Sequence, residues 1–232
     1  MKVVILAAGK GTRLRPYTDD TPKALVEIKG KPYLYYLMKN LLKSGFDDIC
    51  ILVGYKKEKF PEFLENYGFE AQLIEQKEQK GTADAVSYVK YFTGSDNFLL
   101  VYGDNLFSVS DLKSMDKDDE FTYLCGMKVE HPEKYGVIIM EGNNVVGIKE
   151  KPKEFYGNFV SAGMLKLTSE IYPCIDKIEV SPRGEFELPD AISMLIDEGK
   201  VKVNEVKDGR LDLGCVDDIK IVEDNLDDFY ED

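Results

Sequence analysis

Tryptophan is absent from this 232-residue chain, histidine occurs once, and cysteine four times. The single His131 and the wide spacing of Cys50, Cys125, Cys174 and Cys215, without a Cys-x-x-Cys pair, argue against a zinc site. Cys50 and Cys125 fall in apolar runs and read as small buried hydrophobes. No apolar stretch reaches the roughly 18 residues of a membrane span, and the first residues read as a strand instead of a leader. A cytoplasmic protein with no membrane partner is therefore expected. Positive charge is also in deficit, with 30 Lys and Arg against 43 Asp and Glu and a formal net charge of -13. That balance opposes nucleic acid as a partner but leaves room for a local cationic pocket. Linkers, repeats and low-complexity tracts are missing too. With 44% hydrophobic residues, the chain reads as a single domain over 1–232.

Against this acidic background, the start of the chain stands out. The run Lys2-Val3-Val4-Ile5-Leu6-Ala7-Ala8 passes directly into Gly9-Lys10-Gly11-Thr12-Arg13-Leu14, with Thr21-Pro22-Lys23 beyond. A buried strand that ends in glycines and cations delivers a positively edged turn to the rim of a sheet, and it reads as a phosphate cradle. Two familiar glycine loops fail on spacing. A dinucleotide loop needs a third glycine three residues after the second, and a Walker A loop needs Gly-Lys-Ser/Thr after a four-residue gap.

Strand and helix patterns alternate through the first half. Leu34, Leu37, Met38, Leu41 and Leu42 recur at helical spacing after Lys31-Pro32, and Ser44-Gly45 closes that helix. The continuous apolar run 49–53 reads as a strand covered on both sides. A second helix over Phe60, Phe63, Leu64 and Tyr67, and a third strand over Ala71–Ile74, follow. The polar loop 75–81 leads to a helix running to about Tyr91, for which Thr82 is a candidate cap. The strand 98–102 ends at Gly103-Asp104-Asn105, where an α/β sheet places its chemistry.

The second half reads as hairpins. Strands are expected at 123–129, 136–140 and 145–149, with Gly142-Asn143-Asn144 as a turn, and again at 159–167 with Gly163 inside. A helical pattern spans Phe186–Ile196, with Glu187 and Asp190 as first-turn acids beside the helix dipole. Residues 201–206 alternate like a strand, Leu211-Asp212-Leu213-Gly214 brings a second carboxylate, and an acidic helix covers about 216–229. The end, 227–232, reads as solvated and frayed. The fold class expected is α/β: a Rossmann-like mixed, mostly parallel sheet flanked by helices, with an antiparallel extension.

A cationic glycine loop and two carboxylates at strand ends form a chemical set. Carboxylates facing polyphosphate repel it unless a divalent cation intervenes, and Mg²⁺ accepts one or two carboxylates while bridging to phosphate oxygens. Asp104 and Asp212 taken singly would each serve equally as turn or cap residues. Together they point to phosphoryl or nucleotidyl transfer.

In its ordered motifs the chain resembles the sugar-1-phosphate nucleotidylyltransferases. The likeness runs from Leu6–Leu14 and Pro22-Lys23 through Gln76, Gly81-Thr82-Ala83, Gly103-Asp104, Tyr135-Gly136-Val137, Glu150-Lys151-Pro152 and Ala162-Gly163 to Leu211–Gly214. The resemblance implies Mg²⁺-dependent transfer of a nucleotidyl group from UTP or dTTP to a hexose 1-phosphate. Leu6, Ala7, Ala8 and Gly9 would surround the nucleoside, and Gly11, Thr12 and Arg13 would hold the β- and γ-phosphates. Gln76 and Gly81, with Thr82 beside them, would read a uracil or thymine edge. Lys23 would bind the α-phosphate and the sugar phosphate, Asp104 and Asp212 the metal. Lys151 would hold the sugar phosphate and Glu150 its hydroxyls, with Tyr102, Gly136, Ser161 and Gly163 around the sugar.

Some positions depart from the family pattern. Ser161 stands where many relatives have a sugar-contacting asparagine, Leu211 replaces an aromatic residue, and Cys215 replaces a threonine. The rival readings are an N-acetylglucosamine-1-phosphate uridylyltransferase, a phosphocholine cytidylyltransferase and a non-catalytic nucleotide-sugar binding module. A homo-oligomer, as occurs among similar enzymes, is left open. The chain stops before the β-helix that follows this unit in longer relatives, so acyltransfer is not expected.

Overall fold

A computed structural model describes residues 1–230. Its first half alternates strands and helices: β1 (Lys2–Ala7), the small hairpin β2 (Glu27–Ile28) and β3 (Lys31–Pro32), α1 (Tyr33–Lys43), β4 (Ile49–Val53), α2 (Lys59–Tyr67), β5 (Gln72–Glu75), α3 (Thr82–Tyr88), α4 (Lys90–Thr93) and β6 (Phe98–Tyr102). Then come β7 (Asn105–Leu106), α5 (Val109–Ser114), β8 (Thr122–Lys128), β9 (Gly136–Glu141), β10 (Asn144–Glu150), β11 (Phe159–Leu167), α6 (Ile171–Ile175), α7 (Leu188–Asp197), β12 (Val201–Glu205), β13 (Leu211–Asp212) and α8 (Val216–Phe229).

Among the described residues, nine strands form one mixed sheet along the path β10-β9-β11-β6-β1-β4-β5, with β8 beside β11 and β12 beside β8. The strands β6, β1, β4 and β5 are parallel, and β11 joins β6 antiparallel. Alternate residues of the parallel strands feed two cores. Val3, Ile5, Ile51 and Val101 pack on one face with Leu34, Leu37, Met38 and Leu41 of α1. Val4, Cys50, Leu52 and Leu100 pack on the other with α3 and α7. This two-faced burial is why the 49–53 run carries no polar residue. Cys50 and Cys125 lie fully buried, and burial pushes each thiol up to about 12.

Several local expectations are corrected. Lys31-Pro32 belong to a hairpin, and the helix starts at Tyr33. The helix expected to reach Tyr91 breaks at Val89 into α3 and α4. Thr82 is not a cap: Gly81 occupies that position without a side-chain bond, and Thr82 Oγ1 instead accepts the Leu188 amide at 2.9 Å. The 186–196 pattern forms a helix only from Leu188, and Glu187 makes no capping bond, because Arg183 claims its carboxylate at 2.8 Å. The strand β12 runs parallel to β8, so the second half is not wholly antiparallel. The chain end is not frayed as far as Tyr230. The Asn40 amide donates to the Phe229 carbonyl at 2.8 Å, and Tyr230 meets the Tyr36 ring edge-on. Residues 231 and 232 of that expectation lie outside the described residues.

Candidate active site

The register of the central strands gathers the motifs. Leu6 of β1 faces Tyr102 of β6, so the loops that follow, at Ala8 and Gly103, leave the same rim of the sheet. The Gly103 amide donates to the Leu6 carbonyl at 2.9 Å. Gly11 adopts φ +60, and a Cβ there would stand 2.9 Å from the Cβ of Lys23, so glycine lets the Pro22-Lys23 segment close on the loop. Gly9 is different, since an added Cβ would meet nothing within 4 Å. The protein's own packing does not demand a glycine there.

Two cavities open at this rim. The first, about 320 Å³, is lined by Leu6, Ala7, Ala8, Gly9, Gln76, Gly81 and Thr82, with Lys23 and Asp104 at its edge. These are the residues expected around a nucleoside. Arg13 lies instead on the second cavity, and Gly11 and Thr12 line neither. The second, about 560 Å³, is lined by Tyr102, Gly136, Glu150, Lys151, Ser161 and Gly163, together with Asp104 and Asp212. These are the residues expected around a sugar. Tyr102 and Asp104 line both cavities, so they mark the seam.

Charge at the seam is arranged in pairs. Lys23 Nζ donates to Asp104 Oδ2, with the lysine side chain only 15% exposed. Asn105 donates to the other Asp104 oxygen at 2.9 Å. Asp212 reaches the site through the short β7–β13 ladder, in which Asp212 pairs with Asn105 and the Leu213 amide donates to the Asp104 carbonyl at 2.9 Å. Below that ladder, the buried Tyr33 hydroxyl donates to the Leu211 carbonyl at 2.8 Å. Burial first, and Asp104 second, raise the Asp212 carboxyl above its usual range, while Arg210 and Lys23 oppose the shift. Burial, helped by Asp104 and Glu150, likewise lifts the Tyr102 phenol well above its ordinary value, leaving it a proton donor at neutral pH.

Two partly buried carboxylates close together form a hard oxygen donor set for a divalent cation. The residues present thus fit a divalent cation, which would be held by Asp104 and Asp212. Among the described residues no cluster of three or more His, Cys, Asp or Glu is placed to hold a metal, so waters and phosphate oxygens would complete the coordination.

Sequence reasoning missed several lining residues. Gln79 donates its amide to the Ala8 carbonyl and closes the first cavity, while Gln76 donates to Asp84 at 2.9 Å. Arg210, its side chain 8% exposed, donates to Asp212 at 3.3 Å and lies 5.2 Å from the Tyr135 ring. An arginine two residues before an acidic residue was the available signal. Gly163, at φ +82, leaves room for this group: an added Cβ would come within 3.3 Å of Arg210 and Tyr102. His131 is exposed, 3.4 Å from Glu133, as a local partner would be.

Comparison with known proteins gives this architecture its class. The family described as nucleotidyl transferase matches residues 2–228, and the chain belongs to it. The resemblance to sugar-1-phosphate nucleotidylyltransferases therefore holds. Similar proteins include the bifunctional protein GlmU of Methanocaldococcus jannaschii, 39% identical over 87% of this chain and 48% of that protein. Another is the UTP–glucose-1-phosphate uridylyltransferase AglF of Haloferax volcanii, 34% identical over 94% and 93% of the two chains. The chain spans about half the length of the first curated relatives it matches. Among solved structures, a Bacillus anthracis protein described as a glucose-1-phosphate thymidylyltransferase shares 27% identity and a TM-score of 0.84, covering 97% of this chain and 94% of that one. A UDP-glucose pyrophosphorylase with UDP-glucose superposes at a TM-score of 0.86 with 22% identity over 97% of each chain, a likeness of fold. Among the described residues no helix is long and apolar enough to cross a membrane.

Proposed function

We propose that residues 1–232 act as one catalytic unit that transfers a nucleotidyl group from UTP or dTTP to a hexose 1-phosphate, glucose 1-phosphate first among them. The products are a nucleoside diphosphate sugar and pyrophosphate, and Mg²⁺ is the expected cofactor. One observation carries the reading: a nucleoside-sized cavity and a larger polar cavity meet at Tyr102 and Asp104, with Lys23 beside them. The relative named for UTP and glucose 1-phosphate, matched along nearly its whole length, supports the choice of substrates.

In this reading a phosphate oxygen of the sugar 1-phosphate attacks the nucleotide α-phosphorus in line with the departing pyrophosphate. The nucleophile is already an anion, so no general base is required. The protein's task is to bring two polyanions together and stabilise the charge that develops. In this reading Lys23 would bind both reacting phosphates and Lys151 the sugar phosphate, while Arg13, which lines the second cavity, would have to reach across the seam to the leaving pyrophosphate. Bound between Asp104 and Asp212, Mg²⁺ would supply charge neutralisation for the α-phosphate. Gln76 and Gly81 are the proposed readers of the base edge. Leaving Tyr102 and Ser161 on the sugar side keeps N-acetylglucosamine 1-phosphate as a second acceptor to test.

Pyrophosphate release should be measured with UTP, dTTP, CTP, ATP and GTP against glucose, N-acetylglucosamine, galactose and mannose 1-phosphates and phosphocholine, with and without Mg²⁺. Release with UTP or dTTP and glucose 1-phosphate is expected. Release only from CTP with phosphocholine would reject the sugar assignment, and no release from any pair would favour a binding module.

A further inference from the structure

The segment that carries Asp104 also grips the segment that carries Asp212. After β7 the chain turns into α5, where Ser108 Oγ accepts the Asp111 amide at 3.1 Å as the helix cap. Asp111 is 1% exposed. Its two carboxylate oxygens accept separate amides from the opposite segment, Lys207 at 2.9 Å and Asp208 at 3.0 Å. The grip is returned, since Asp208 Oδ2 accepts Ser108 Oγ at 2.7 Å and Ser110 Oγ at 2.6 Å. From Asp208, Gly209 at φ +82 turns the chain into Arg210, Leu211 and Asp212. The ladder carrying both site carboxylates is thus closed at one end by the bond from the Leu213 amide to the Asp104 carbonyl. Asp111 and Asp208 close it at the other.

A leucine would serve simple packing at position 111, whereas a buried carboxylate carries a desolvation cost that only specific bonds offset. What those bonds secure here is the backbone of residues 207 and 208, five and four residues ahead of Asp212. We infer that Asp111 is a positioning residue for the carboxylate pair: it fixes β13 so that Asp212 meets a divalent cation together with Asp104. The inference rests on the metal reading given above. Asp111 lines neither cavity, so it would act only through the spacing of the two aspartates.

The test is Mn²⁺ binding to the full chain, followed by the electron paramagnetic resonance signal of the free ion, with thermal melting recorded in parallel. Asp111→Asn keeps one accepting oxygen and turns an NH₂ toward an amide. It should weaken Mn²⁺ binding by about tenfold or more, the scale for outer partners of metal ligands. At saturating Mn²⁺ the KM for UTP should stay at the wild-type value, which a general loosening of the fold would not allow. Wild-type Mn²⁺ affinity in a cooperatively melting Asp111→Asn chain overturns the inference. Should that variant fail to fold, the exposed Asp208 provides the measurement. Asp208→Ala should weaken Mn²⁺ binding in the same direction and Asp208→Asn restore it, whereas unchanged affinity in Asp208→Ala overturns the inference equally. Equal Mn²⁺ binding by the wild type and an Asp104→Ala/Asp212→Ala chain would instead remove the metal reading itself, and the role of Asp111 with it.

Discussion

The two cavities are built in different ways. The first is built largely from loops that directly follow parallel strands, and two of its glycines, Gly81 and Gly103, sit where chain meets chain, while Gly9 does not. The second is made from larger side chains drawn from β9, β10, β11, β13 and the start of α7, segments far apart in sequence. A nucleotide presents the same phosphates and ribose to every member of such a family, and backbone groups suffice to hold them. Sugars differ in the direction of single hydroxyls, which only side chains can distinguish. In the proposed reading the first cavity carries the class of chemistry, and the second carries the choice of acceptor.

Lys23 stands where the two cavities meet, and removing it should produce the largest effect. Lys23→Ala is expected to lower kcat by about a hundredfold or more at saturating substrates and Mg²⁺, the scale of losing one transition-state donor. Near-normal turnover would break the idea that the seam is the reacting centre. A more selective blow falls on the first cavity. Gly81 holds φ +116, and a Cβ there would stand 2.3 Å from the Phe186 carbonyl oxygen. Gly81→Ala should raise the KM for UTP by about tenfold, a displacement cost on the order of 1.4 kcal/mol. The KM for glucose 1-phosphate should move far less. Equal shifts in both constants would show that the cavities do not act separately.

The seam between them has a smaller, measurable component. Thr82 on the first cavity accepts the Leu188 amide of the second at 2.9 Å, next to the bonds Phe186 N–H to Lys80 O at 2.7 Å and Ala83 N–H to Phe186 O at 3.0 Å. Thr82→Val keeps the shape and leaves that amide without its acceptor. A loss of about 1 kcal/mol in stability is expected from urea unfolding. Both KM values should rise together, in contrast to Gly81→Ala.

How legible these features were in the sequence follows the same division. The parallel half could be read because apolar runs such as Ile49–Val53 are buried on both faces, and the loop motifs are contiguous. The packing role of Gly11 was not legible, because the neighbour it admits, Lys23, is twelve residues away. The site's second carboxylate was visible as Leu211-Asp212-Leu213-Gly214, yet its pairing with Asn105 was not, since a two-residue ladder has no periodicity to detect. Helix α5 was missed for a related reason. Its six residues include two serines and an aspartate, and they fold as a helix through the Ser108 cap and the grip on 207–208. Thr82 was misassigned because a threonine before a helical pattern resembles a cap, but the distant Leu188 amide takes its oxygen. Arg210 carried only the weak signal of an arginine two residues before an acidic residue, and the fold shows that the two side chains meet.

The smallest expected effect concerns stability and has the opposite sign. Burial and Asp104 raise the Asp212 carboxyl, so the folded chain holds that proton to higher pH than the unfolded chain does. Stability from this group is present at low pH and is lost as pH rises from the ordinary carboxylate range through the raised value, leaving a net cost at neutral pH. Asp212→Asn removes the ionisation and the repulsion from Asp104, while sacrificing the contact with Arg210. The direction of the shift says that burial of the charge, with the repulsion from Asp104 second, outweighs that contact. With the Asp212 side chain 40% exposed, solvent screens the interaction, and the gain should stay below about 1 kcal/mol. In chelator-containing buffer, Asp212→Asn should therefore melt slightly above the wild type near neutral pH, with the gap closing below about pH 4. The same substitution should cost activity, because it removes a proposed metal ligand. A variant that melts lower than wild type at neutral pH, or whose advantage does not shrink on acidification, would show that the carboxylates do not strain one another. The seam would then owe its charge balance to Lys23 and Arg210 alone.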